Sequence, residues 1–260
     1  ELSLSTVNVK TKDFRWVMDF NLAHNKSKIN RLNVRDNSYE PSREGYSVGA
    51  VFSLKTAGLD ENGLQMFYNK QGEKVSFNDF FGLEYGYMMG GLIPFLKSNL
   101  SAEEYRNLFT YEGTTEPKFT GGWINRFYYK NFDLTVSASF VLDQTVQEQP
   151  FYNPVQTSPG QNYSRRMSQI WSPDNTSGKY PRIMGTYTEG EENWAYQLLG
   201  MLDPGNSYRK YDYWFKKMSY MRINSIRLGY TFPERLLGHI GFSSARISFE
   251  ARNPFVFGSS

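Results

Sequence analysis

Cysteine is absent from this 260-residue chain. Disulfides and thiol chemistry are thereby excluded, and with them the small secreted scaffolds that disulfides staple together. Long apolar runs are missing too: no stretch approaches the roughly 18 to 20 residues of a membrane-spanning helix. Charge of one sign is nowhere concentrated. The 29 Lys and Arg and the 26 Asp and Glu are interspersed and leave a net +3, which is no electrostatic footprint for nucleic acid. No nucleophile–base arrangement, phosphate loop or zinc spacing occurs, so no catalytic residue, metal or cofactor is expected. The two histidines, His24 and His239, are far apart and each lies near a strand end, so a metal site would need further partners.

Aromatic residues, by contrast, are plentiful at 17%, with 19 Tyr and 20 Phe. Membrane-interface girdles use such residues, and so does a sugar-binding surface. The mean hydropathy of −0.58 reads as soluble, but a barrel strand hides every second residue from that average. In "FDLTVSASF" (132–140) Phe132, Leu134, Val136, Ala138 and Phe140 fall on one side. Asp133, Thr135, Ser137 and Ser139 fall on the other, the alternation of a strand that separates two environments.

Six strands are expected on this pattern: 1–9, 14–25, 119–129, 132–142, 211–232 and a last one in which Ala245, Ile247, Phe249 and Ala251 alternate with Arg246, Ser248, Glu250 and Arg252. The apolar parity of 211–232 flips between Met221/Ile223 and Ile226/Leu228, which predicts a β-bulge near Asn224–Ser225. Three connections are short (10–13, 130–131, 233–241) and two are long (26–118, 143–210). Ser101 and Glu104 are spaced as a capping box for a short helix at 101–109. "RRMSQIW" (165–171) holds one or two helical turns, and "PERLLGHIG" a single turn at most. "DENG" (60–63) is a plain turn rather than a calcium loop. Followed along the chain, all short turns lie at one end of the sheet and both long segments at the other. Outer-membrane barrels sort their loops in this way, whereas a soluble sandwich has no reason to.

At "SYMRINSIRLGYTFP" (219–233) the chain resembles the C-terminal barrel region of the SusC/RagA family of TonB-dependent outer-membrane transporters of Bacteroidetes. Ser219, Tyr220, Arg222, Leu228, Gly229, Tyr230 and Pro233 match the family pattern, while Ser225 replaces an Asn. "ARISFEARNPFVF" adds Arg246, Asn253 and Phe255. "FTGGWINRFYYKNFDL", "WSPDNTSGKYPR" and "FRWVMDFNLAHNKSKINRL" are similar to further family stretches in the same order.

The resemblance implies an all-β fold of antiparallel strands, part of a large transmembrane β-barrel with long extracellular loops. Residues 1–260 would be a C-terminal segment without the plug domain, the TonB-contacting segment or the closing strand. Six strands cannot close a plugged barrel, which takes about 22. The implied protein is an outer-membrane importer of glycans or peptides. Its partners would be a SusD-like surface lipoprotein and, through the missing N-terminal part, the TonB complex. Trp171, Tyr180, Trp194 and Tyr196 are the loop aromatics best suited to stack on sugar rings, although packing of the loops on themselves competes for them. Arg246, Glu250 and Arg252 are expected to face the lumen, where salt-bridging competes with substrate contact. Glu189, Glu191 and Glu192 fit a solvated loop better than an acid/base site. The competing readings are a soluble β-sandwich that binds carbohydrate through exposed aromatics and a purely structural surface or assembly protein. Detergent dependence separates the importer from both.

Overall fold

A computed structural model describes residues 1–33, 39–88, 93–154, 160–183, 207–238 and 242–259. Among them the chain divides into two units: one of 1–27, 114–146 and 217–260, the other of 28–113 and 147–216.

The first unit is one antiparallel sheet. Its strands are β1 (Leu2–Lys10), β2 (Phe14–Ala23), β10 (Phe119–Tyr129), β11 (Phe132–Gln147), β12 (Phe215–Thr231) and β13 (Arg246–Ser259), side by side in that order. Each of the six corresponds to a strand read from alternation. β-branched and aromatic residues fill them because such side chains suit a pleated surface. The three short turns lie together, as expected. Lys130 N donates to Asp13 O at 3.0 Å, Thr231 N to Asn131 O at 3.0 Å and Phe232 N to Ala245 O at 3.0 Å. A single helical turn, α3 (Glu234–Leu237), opens behind Pro233 in the third of them.

The predicted register break is present. Pairing of β12 with β13 slips between Ile223 and Ser225, so that Asn253 and Pro254 on β13 span the interval of Asn224 alone. Asn253 takes a φ of 49 there, and a bulge is one of the few sheet positions that admit a proline. Ser139 Oγ donates to Asn224 Oδ1 at 3.1 Å, which places Asn224 on the polar side with Ser139. Two successive polar residues then share that side. Ile223 and Met221 thereby regain the apolar side, opposite Phe255 and Phe257.

The second unit holds what the sequence pattern concealed. Segment 26–118 shows no sustained period, yet it contains β3 (Ala50–Ser53), β4 (Thr56–Leu59), β5 (Gln65–Tyr68), β6 (Lys74–Val75), β7 (Leu83–Met88), β8 (Ile93–Ser98) and β9 (Thr110–Thr114). Runs this short carry too few turns of the pattern to register. They form sheets β3–β9, β4–β5–β6 and β7–β8. Helix α1 (Phe77–Phe80) begins at Ser76, and α2 (Ala102–Arg106) carries the expected Ser101–Glu104 capping box in full. The turn at 165–171 is a 3-10 helix over Arg165–Gln169.

The core of this unit is aromatic. Phe67 stacks on Phe80 at 4.4 Å and meets Tyr211 edge-on at 5.2 Å, while Trp214 is fully buried. This corrects the strand expected over 211–232. Residues Asp212–Trp214 form a 3-10 turn, since Tyr211 and Trp214 are taken up by the core, and β12 starts at Phe215. Backbone bonds from Leu54 N to Lys210 O (2.8 Å) and from Asp212 N to Leu54 O (3.1 Å) join the two segments of the unit.

Trp214→Ala removes the largest fully buried side chain of this core and is expected to cost about 3–5 kcal/mol. Limited proteolysis checks it: cleavage within 28–113 and 147–216 should rise while the six-stranded sheet stays protected.

Candidate functional site: the two faces of the sheet

The apolar side chains of the six strands form one continuous surface. At the short-turn end Phe14, Tyr129 and Phe132 occupy one row. The Phe132 ring lies 4.6 Å from Tyr230, and Tyr230 lies 5.1 Å from Phe232. This is an aromatic belt. Further along, Trp16 stacks on Phe127 at 5.7 Å and Phe20 on Phe140 at 6.3 Å. Leu2, Phe132, Leu228 and Phe249 are 55%, 48%, 46% and 70% exposed, far from the burial that an apolar side chain finds in a protein core. Asn125 is a polar exception on this surface, and its Oδ1 accepts the Trp16 indole N–H at 2.9 Å.

The reverse face is charged, and six of its charges form three ion pairs. Arg126 bonds Asp19 across β10 and β2. Arg252 reaches Glu250 at 3.3 Å on its own strand. Arg246 Nη2 meets Asp133 Oδ2 at 2.8 Å, although β12 runs between their strands β11 and β13. The pair closes over Gly229: a Cβ there would strike both the guanidinium and the carboxylate. The structure thus brings Arg246, Glu250 and Arg252 to one face, as alternation along β13 requires. The guanidinium of Arg15 lies 5.9 Å from the Tyr128 ring centre.

The loop aromatics divide. Trp171 packs its indole on Gly63, whose φ of +76 and lack of a side chain leave room for the ring. Tyr180 stacks on Trp214 at 5.4 Å and receives a hydrogen bond from Arg166 Nη2 at 2.8 Å. Trp194 and Tyr196 lie outside the described residues, as do Glu189, Glu191, Glu192 and His239. The ring of His24 approaches Lys118 O at 2.6 Å through Nδ1 and Phe119 at 4.9 Å. Asp60 of "DENG" spends its carboxylate on the N–H groups of Asn62 and Leu64, as a plain turn does. Among the described residues no group of three potential metal ligands occurs.

Two charged assemblies escaped the sequence reading, because their members are distant along the chain. Arg166 sits 4.7 Å from the Phe151 ring centre and 3.4 Å from Glu148, which also receives Lys216 at 3.0 Å. The Lys216 hydrogen bond, helped by the charge of Arg166, holds the Glu148 carboxyl below its ordinary 4.5. Elsewhere Lys55 bonds Glu112 at 2.7 Å, Ser53 bonds the same carboxylate at 2.6 Å, and Thr56 bonds Asp212 at 2.6 Å. In the aromatic core burial pushes the Tyr213 phenol well above its ordinary 10.0.

No family model matches the chain. It is similar to the TonB-dependent receptor P3 of Formosa agariphila, with 26% identity over 275 residues, spanning 99% of this chain and 24% of that protein. Among solved structures it resembles a chain of the RagAB peptide transporter, with TM-score 0.63 and 18% identity over 98% of this chain and 25% of that one. The RagAB peptide importer in its 'closed-closed' state gives a TM-score of 0.65, again at 18% identity, over 98% of this chain and 25% of that one. At this identity the structural likeness is one of fold. The chain thus spans about a quarter of the length of the relatives it matches.

Two outcomes are expected. Gly229→Ala drives a methyl into the Asp133–Arg246 pair, and because the ends of two flexible side chains give way, it should cost no more than the pair itself, about 0–1 kcal/mol. Urea unfolding of the bilayer-refolded parent measures it, and adding Asp133→Ala should recover part of the loss. Glu148, with its folded pKa depressed, contributes stability that is complete above the ordinary 4.5 and is lost as pH falls through the lower folded value. Acid titration followed by tryptophan fluorescence should therefore show a transition below about pH 4.5 that Glu148→Gln removes.

Proposed function

We propose that this piece of a SusC/RagA-type TonB-dependent transporter forms part of the barrel wall of an importer, in the C-terminal portion of its parent. It resides in the outer membrane. The observation that carries the reading is the exposed apolar surface running over all six strands, backed by a face of paired charges. In a bilayer such a sheet meets hydrocarbon on one side and a polar lumen on the other. Arg246, Glu250 and Arg252 then face that lumen. A soluble sandwich would need a second layer over Phe249 and Leu228, and their exposure speaks against one.

The long segments supply the part of the importer that meets cargo. That cargo is an oligosaccharide or a peptide, and a SusD-like lipoprotein works with the parent at the surface. The likeness to the RagAB peptide importer supports the peptide alternative and the two-component arrangement. Energy comes from the TonB complex through other parts of the parent. Trp171, Tyr180, Trp194 and Tyr196 are the aromatic contacts proposed for cargo. Gly63 packs on Trp171, and Trp214, Phe151, Tyr213 and Arg166 all pack around the Tyr180 ring, so cargo meets only what this packing leaves of the two rings. The chemistry is binding and passage, in keeping with relatives named as a receptor and a transporter.

The test is exposure to lipid. Phe249→Arg in the parent should cost about 2–4 kcal/mol of bilayer stability if this position lies near the midplane. A nitroxide at Leu134 should be relaxed by oxygen dissolved in lipid and shielded from a water-soluble nickel chelate. Relaxation by the chelate instead would end the membrane reading.

A further inference from the structure

The second unit contains an open cleft of about 310 Å³ whose lining carries Arg43, Arg209, Lys210 and a single carboxylate, Glu40. Lys210 holds the least exposed charge of the four. Its ammonium bonds Glu40 at 2.9 Å with only 17% of its side chain exposed, and it lies 5.3 Å from the Phe109 ring centre. Glu40 therefore compensates one cation. Among the described residues Arg43 and Arg209 have no carboxylate partner; Arg43 donates to the Val48 carbonyl at 3.2 Å. Two arginines thus line the depression without an ion pair to any described residue.

The wall beside them is aromatic. Phe52 lines the cleft and meets Tyr46 edge-on at 5.2 Å and Tyr111 at 5.9 Å. Tyr46 and Tyr111 stack on each other at 4.8 Å, and both remain about two-fifths exposed. A guanidinium fork recognises a planar or tetrahedral anion in bidentate fashion. An exposed tyrosine pair offers flat apolar area with polar rims, which suits the face of a pyranose ring. A ligand satisfying both carries its negative charge on rings.

Resting on the importer reading, we propose that this cleft is a cargo subsite selecting acidic oligosaccharides, those with carboxylate or sulfate groups on the sugar rings. Arg43 and Arg209 bind the anionic groups, Tyr46 and Tyr111 support a neighbouring ring, and Lys210 with Glu40 forms a neutral floor.

The experiment uses the intact parent in detergent and isothermal titration with tetragalacturonate, its fully methyl-esterified counterpart and a tetraglutamate peptide. Tetragalacturonate should bind about tenfold or more tightly than the ester, with affinity that falls as salt rises. The double variant Arg43→Gln/Arg209→Gln should lose that preference and most of the salt dependence. Tyr46→Ala should weaken the acid and the ester alike. Equal binding of acid and ester, absence of binding by either, or an unchanged preference in the double variant overturns the subsite. Tighter binding of tetraglutamate than of tetragalacturonate overturns the assignment to sugar. Outer-membrane insertion and TonB-dependent uptake by the unsubstituted parent are read separately. Their absence counts against the importer reading, while their presence with a flat titration counts against the cleft alone.

Discussion

A backbone amide or carbonyl surrounded by hydrocarbon must find its partner within the protein, because no water is at hand to take it. Every feature of the six-stranded sheet answers to that condition. The strands are long, and their pairing runs without a gap from Phe119 to Leu142 between β10 and β11, while between β1 and β2 it shifts once, between Val7 and Val9. Where a polar side chain does stand on the apolar surface, it is matched: Asn125 serves the indole of Trp16. The irregularity at Asn224 is confined to one step and is bridged from Ser139. Alternation in the sequence is the chemical consequence of the same condition, since a fully paired strand has only its side chains left with which to address two solvents.

That is why the sheet could be read from the residues and the second unit could not. A strand such as β11 repeats its period often enough to be unmistakable, and the parity change at Ile223–Ile226 placed the register break near Asn224–Ser225, although the extra residue lies on the partner strand β13. The capping box of α2 was equally legible, being a relation between residues three apart. The second unit is built on relations across the chain. Phe67 meets Tyr211, Thr56 meets Asp212 and Lys55 meets Glu112, and no local pattern announces such pairs. The same cause shortened β12. Tyr211 and Trp214 continue the strand's composition but belong to an aromatic core assembled from elsewhere. Of the residues singled out for function, Arg246, Glu250 and Arg252 were placed on one face by parity. Trp171 and Tyr180 were chosen by residue type alone, which says nothing of what covers a ring.

The two units also use aromatic residues under opposite rules. In the sheet Phe249 and Phe132 point away from the protein and stay bare. In the second unit Phe67, Phe81 and Trp214 vanish from the surface altogether. One composition therefore serves a solvent that is itself apolar and a core that must be dry. The high count of Phe and Tyr is the sum of these two demands, so composition alone could not separate them.

The ion pair closing over Gly229 fixes more than two charges. Sliding β12 along its neighbours by one pleat would bring Arg227 or Thr231 beneath the pair, and either side chain would prise it open. The pair therefore fits the observed register of β12 between β11 and β13 better than the registers one pleat away. The pair is thus a local marker of register, recording in two side chains how three neighbouring strands are aligned.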